Sequence, residues 1–105
     1  PLYIASQNNH LEVVKFLISI NAAIDKANND GVTPLKIASQ VNHLEVVQCL
    51  VSNNAAIDQG DNENGFTPLY TASASNCVEV VKCLVSNNAS IDQAQNNATP
   101  LYTAS

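Results

Sequence analysis

The sequence predicts an all-α solenoid of stacked helix–turn–helix units. Three observations carry this expectation. A 26-residue segment recurs in phase along the chain. Each later copy opens on a Thr-Pro pair suited to starting a helix. The second half of each copy is apolar on nearly every side, so it needs neighbours on both flanks. A stack supplies them and a lone unit does not.

The recurrence is read directly. PLYIASQNNHLEVVKFLISINAAIDK (1–26) returns as PLKIASQVNHLEVVQCLVSNNAAIDQ (34–59) and as PLYTASASNCVEVVKCLVSNNASIDQ (68–93), and PLYTAS (100–105) opens a fourth copy. Copies one and two agree at 19 of 26 positions and copies two and three at 18, so one structure must serve all of them. The starts at Pro1, Pro34, Pro68 and Pro100 lie 33, 34 and 32 residues apart, and the slippage falls wholly after Asp25, Asp58 and Asp92. Length variation belongs in surface connections. The 26-mer is therefore the packed unit and the remainder a connector. The expected repeats are 1–33, 34–67 and 68–99, with a partial copy at 100–105.

Each unit reads as two helices. Thr33, Thr67 and Thr99 precede the prolines and can cap the open amides of a first turn. Proline lacks an N–H that would be orphaned there, and its φ suits the first helical position. The first helix is short, about Leu35–Gln40 in copy two. The second is expected at Leu11–Ile20, Leu44–Asn53 and Val78–Asn87. In copy one its only polar stripe is Glu12, Lys15 and Ser19, at helical spacing. The equivalents are Glu45, Gln48 and Ser52, then Glu79, Lys82 and Ser86. The second helices should be the most buried elements.

Asparagine supplies the punctuation. Asn9, Asn42 and Asn76 fall between the two helices, and Asn21, Asn54 and Asn88 just after the second. Both are places where a chain leaves a helix through a left-handed residue. Asn tolerates that conformation next best to Gly. The chain has only three Gly, two of them (Gly31 and Gly65) in connectors.

At 105 residues the chain is one domain by length. Charged residues are 12%, against roughly 25% in average domains. Polarity comes instead from 15 Asn. The net charge is −5, with four Lys and no Arg. That excludes a phosphate-neutralising surface, so nucleic acid is not an expected partner. No run approaches the ~18 apolar residues of a membrane span, so direct membrane insertion is not expected. No signal-peptide pattern opens the chain. The chain contains no Met. It is expected to be part of a longer protein. Cys49, Cys77 and Cys83 are an odd set without a CxxC, which points to reduced thiols and a cytoplasmic setting.

These residues resemble the ankyrin repeat family. Its opening motif stands as TPLKIAS (33–39), TPLYTAS (67–73), TPLYTAS (99–105) and, truncated, PLYIAS (1–6). Its inter-helix turn stands as NHLEVV (9–14), NHLEVV (42–47) and NCVEVV (76–81), and its closing segment as LISINA (17–22), LVSNNA (50–55) and LVSNNA (84–89). The resemblance covers the whole chain and implies an ankyrin-repeat solenoid, with hairpin-like loops joining the repeats. One departure recurs. The family's His after Pro-Leu is replaced by Tyr3, Lys36, Tyr70 and Tyr102. The Thr–His hydrogen bond is then absent, and Lys36 is expected to send its ammonium to solvent. No copy has the polar face of a terminal cap, so the array is expected to continue at both ends.

The remaining constellations do not read as chemistry. His10, His43 and Cys77 are repeat-equivalent. Stacked helices lie ~8–10 Å apart, while zinc ligands sit ~2.0–2.3 Å from the ion, so one ion cannot bridge them. They read as turn residues. Cys49 and Cys83 read as small core residues, at the position of Phe16 in copy one. No Ser, Cys or Thr forms a unit with a His and a carboxylate, and no phosphate-binding glycine motif occurs. Asp58, Asp61 and Glu63 in the second connector lack the spacing of a calcium loop and read as solvated charge. No catalysis, metal or cofactor is expected.

What remains is recognition of another protein. The resemblance implies that partners touch the loop tips and the exposed side of the first helices. Carried over, those positions are Gln7 and Asn8, then Asn29, Asp30, Val32, Gln40 and Val41, then Glu63, Asn64, Phe66, Ala74 and Ser75. Phe66 has two readings: an exposed aromatic anchor, or a ring folded onto its own repeat against Tyr70. Two roles stay open. One is an interaction module; the other is a scaffold, spacer or cytoskeletal linker within a long array. The partner is a protein, with cytoskeletal and membrane-associated proteins as the classes in view.

Overall fold

The computed structural model describes residues 1–90, which form three helix pairs. They are α1 (Leu2–Gln7) with α2 (Leu11–Ser19), α3 (Pro34–Gln40) with α4 (Leu44–Ser52), and α5 (Pro68–Ala74) with α6 (Val78–Ser86). The first helices α1, α3 and α5 pack side by side in one row, and the second helices form another row behind it. No strand occurs among the described residues. The expectations for Thr99, Pro100 and Tyr102, and for the third connector, lie outside them.

Local chemistry sets each helix start. The Thr33 hydroxyl accepts from the Lys36 N–H and the Thr67 hydroxyl from the Tyr70 N–H, both at 3.2 Å. Pro34 and Pro68 take the first helical position. The second helices carry Glu12, Glu45 and Glu79 in their first turns, where the helix dipole favours negative charge.

The exits follow the asparagines. Asn9, Asn42 and Asn76 have φ of 59°, 62° and 58°, and Asn21, Asn54 and Asn88 of 64°, 67° and 72°. The next residue then donates back to the last turn. His10, His43 and Cys77 bond to the carbonyls of Ala5, Ala38 and Ala72, each at 2.9 Å. Ala22, Ala55 and Ala89 bond to those of Leu17, Leu50 and Leu84 at 3.0–3.1 Å. These are Schellman closures. They end the second helices at Ser19, Ser52 and Ser86, one residue earlier than expected, because Ile20, Asn53 and Asn87 serve as caps.

The core runs through the stack as Leu2, Ala5, Val14, Leu35, Ala38, Val46, Val47, Leu50, Leu69, Ala72, Val80 and Leu84. One expectation fails here. The first helices, not the second, are the most buried. In α3 every residue but Gln40 is buried, whereas α4 buries Val46, Val47 and Leu50 alone. Ala38, Ser39 and their equivalents are small enough for the first helices to approach closely, and proximity covers even their polar atoms. The Ser39 hydroxyl satisfies itself on the Leu35 carbonyl at 2.8 Å. Phe16 is also not a core residue. It is 62% exposed, and its equivalents Cys49 and Cys83 are half-buried. Cys77 stands in the turn before α6, as expected, and is buried there.

Neighbouring pairs are tied by a ladder that sequence reading missed. The Asp25 carboxylate accepts the Ala56 N–H and the Asp58 carboxylate accepts the Ser90 N–H, both at 2.8 Å. The Asn62 N–H donates to the Asp30 carbonyl at 3.0 Å, joining one connector to the next. Gly31 makes that approach possible. It has φ +79°, and a Cβ there would sit 2.5 Å from the Asn62 side-chain oxygen and 2.7 Å from its backbone nitrogen. Gly31→Ala should therefore lose about 1–3 kcal/mol. An unchanged thermal midpoint would show that the connectors do not need this contact.

Candidate protein-binding surface

Each of the two described connectors is shaped by one polar side chain. In the first, the Asn28 side-chain oxygen accepts the N–H groups of Asp30 at 2.9 Å and Val32 at 3.0 Å. The Asn28 N–H closes the loop on the Val32 carbonyl at 3.0 Å. In the second, Asp61 does the same work for a loop one residue longer. Its carboxylate accepts from the N–H groups of Asn64 at 2.9 Å, Gly65 at 3.0 Å and Phe66 at 3.4 Å. Its own N–H reaches the Phe66 carbonyl at 3.1 Å. Gly65 takes φ +70° at the turn.

Lys36 completes this arrangement, and the expectation that it faces solvent is wrong. Lys36 is only 5% exposed, and its Nζ lies 3.4 Å from Asp61 Oδ2. The second connector folds over α3 and covers the lysine stem, and the carboxylate meets the ammonium there. Burial of the Asp61 carboxyl works against its charge. The N–H groups of Asn64 and Phe66 and the Lys36 ammonium outweigh that and hold its pKa below the ordinary value. Asp58 and Asp61 are thus structural acids rather than solvated ones, and Glu63 alone of the three is exposed.

Ten of the twelve candidate contact positions are exposed: Gln7, Asn8, Asn29, Asp30, Gln40, Val41, Glu63, Asn64, Ala74 and Ser75. Val32 and Phe66 are half-buried. Phe66 stacks on Tyr70 with ring centroids 4.3 Å apart and planes at 25°, which settles its two readings in favour of the folded one. The tips bearing Asp30 and Glu63 are brought together by the Asn62–Asp30 hydrogen bond. Gln7, Gln40 and Ala74 end their first helices in the adjoining row.

The outer stripe is different. Glu12, Lys15 and Ser19 and all their equivalents are exposed. Lys15 pairs with Glu12 at 3.4 Å and Lys82 with Glu79 at 3.6 Å, each one helical turn apart. Such exposed pairs are worth little.

Burial pushes the Cys49, Cys77 and Cys83 thiols above their ordinary pKa, which favours the poorly nucleophilic protonated form. His43 Nδ1 lies 3.1 Å from the Ser6 carbonyl, joining two helix pairs rather than serving a nucleophile. Among the described residues no three His, Cys, Asp or Glu side chains are grouped to hold a metal ion. Nor is any helix there long and apolar enough to cross a membrane.

In comparisons with known proteins, the family model for ankyrin repeats, which describes three tandem copies, matches residues 1–61 and 56–105. No curated protein matches the chain.

Proposed function

Since the chain belongs to the ankyrin repeat family, we propose that it holds a partner protein through its connector tips and first helices. Ankyrin repeats are generally protein–protein interaction modules. The observation that carries the assignment to these residues is the pinned pair of tips. Asp30 and Glu63 stand exposed on loops braced by Asn28, Asp61 and Lys36, and the loop that bears Glu63 also carries Phe66, stacked on Tyr70. A loop already held in shape loses less freedom on binding. The contact set is Gln7, Asn8, Asn29, Asp30, Val32, Gln40, Val41, Glu63, Asn64, Phe66, Ala74 and Ser75. Three cysteines without disulfides support a reducing, cytoplasmic setting.

The test is capture of the natural partner from cells by the full-length protein, compared with a variant whose connector tips are replaced. Phe66→Ala takes away the half-buried ring of the Phe66–Tyr70 stack and should weaken that partner by about 1 kcal/mol. Lys82→Ala on the outer stripe should leave binding within experimental error. Equal losses from both, or none from the tip replacement, would refute the assignment.

A second reading, a segment of a longer scaffolding array, rests on the leading end. Ile4 is 54% exposed where Ile37 is 6%, and Val13 is 47% where Val46 is 0%. A pocket of about 260 Å³ opens there beside Pro1, Tyr3 and Leu17. Inside the stack, a preceding helix pair covers the equivalent positions. This end suits a further repeat, and the two roles are compatible.

A further inference from the structure

The charge pattern at the paired tips specifies the kind of partner. Asp30 and Glu63 are both exposed, form no ion pair among the described residues, and sit on loops joined by the Asn62–Asp30 hydrogen bond. Four lysines are the chain's only Lys or Arg residues. Lys15 and Lys82 lie on the outer stripe, paired with Glu12 and Glu79. Lys26 lines the pocket at the leading end, beside Pro1 and Tyr3. Lys36 is the cation nearest the second connector, and it is buried and neutralised by Asp61. The acceptors at the tips therefore have no internal cation to satisfy them. Next to them in sequence, the half-buried Phe66 and Tyr70 rings stack as a flat apolar pair. A planar cation fits both features. Its N–H groups pair with carboxylates, and its face lies on an aromatic ring.

Resting on the proposed binding role of these tips, the geometry points to an arginine-bearing protein segment as the partner. It lies across the second connector, with guanidinium groups on Asp30, Glu63 and the Phe66–Tyr70 stack. The Lys36–Asp61 pair shapes the site while taking the local lysine out of competition.

The test uses the full chain, ¹⁵N-labelled, titrated at low salt with a capped peptide of alternating Gly and Arg. The same peptide with Lys or Glu in place of Arg serves for comparison. Amide shifts should centre on Asp30, Asn62, Glu63, Phe66 and Tyr70 and weaken as salt is raised. Asp30→Asn and Glu63→Gln should each reduce affinity about threefold, as exposed ion pairs do. Both together should reduce it roughly tenfold if the losses add. Phe66→Leu, which keeps the apolar volume and loses the ring, should cost the Arg peptide about threefold and the Lys peptide less. The Glu peptide should leave these amides unmoved. The inference is overturned by any of four results: no shifts with the Arg peptide, shifts centred on Glu45 and Glu79, an unweakened double variant, or equal Arg and Lys affinities insensitive to Phe66→Leu. If tip replacement abolishes capture of the natural partner while Asp30→Asn/Glu63→Gln does not weaken it, the binding role stands and the arginine assignment falls.

Discussion

Leu50→Ala is expected to cost about 2–5 kcal/mol, and Leu84→Ala about the same. Both side chains are fully buried in one continuous core that runs through the three helix pairs. Truncation removes their transfer energy and leaves a cavity that a stack braced on both sides is slow to close. Leu50 also supplies the carbonyl for the Ala55 closure, so its backbone is held in place while the side chain is lost. Phe16→Ala gives the contrast. That ring is larger but 62% exposed, and its removal should cost a small fraction of the Leu50 value. Chemical denaturation of the three variants measures this directly. An unchanged midpoint for Leu50→Ala would contradict its burial from both sides.

Lys36→Met should be as damaging. Removing one partner of a buried pair strands the other charge, typically at about 3–5 kcal/mol. Asp61 keeps its three backbone donors but loses the ammonium that balances it. Asp61→Asn strands Lys36 in the same way. The double variant Lys36→Met/Asp61→Asn should recover much of the loss, because two neutral groups can share that space. Strictly additive losses would show that the two charges are not coupled. The sign of the pH dependence follows from the depressed Asp61 pKa. The contribution is fully present above the unfolded carboxyl value, near 3.9 in model peptides. It disappears as pH falls through the lower folded value. Asp61→Asn should flatten this acid limb and leave the neutral-to-alkaline limb unaltered.

Features that repeat locally were legible in the sequence. The Thr-Pro starts, the six left-handed asparagines and the paired outer stripe each depend on residues within a turn of one another. Burial of the first helices was not legible. It comes from smallness rather than hydrophobicity: Ala38, Ser39, Ala72 and Ser73 let helices close up, and no apolar pattern announces that. Lys36 was misread because its partner arrives from the next connector, where three acids look like ordinary solvated charge. The signal available was Asp25 and Asp58 at matching places, since an acid kept in register has a fixed donor to meet. Exposure of the tip positions followed from the family resemblance rather than from polarity, since Val41 and Ala74 are exposed as well. The hydrogen bond that unites two tips was not legible, because it joins backbone groups that carry no side-chain signature.

The hydrogen bonds donated by the Ala56 N–H to Asp25 and by the Ser90 N–H to Asp58 fasten each helix pair to its immediate neighbour. A chain fastened link by link should yield in steps when drawn apart, each link parting at its own load. It should also loosen unevenly at rest. In α2 only Val14 is fully covered, while α4 holds Val46, Val47 and Leu50. Amides of α2 should therefore exchange with deuterium well before those of α4. Equal protection of α2 and α4 would mean that the links part together, as in a single cooperative block.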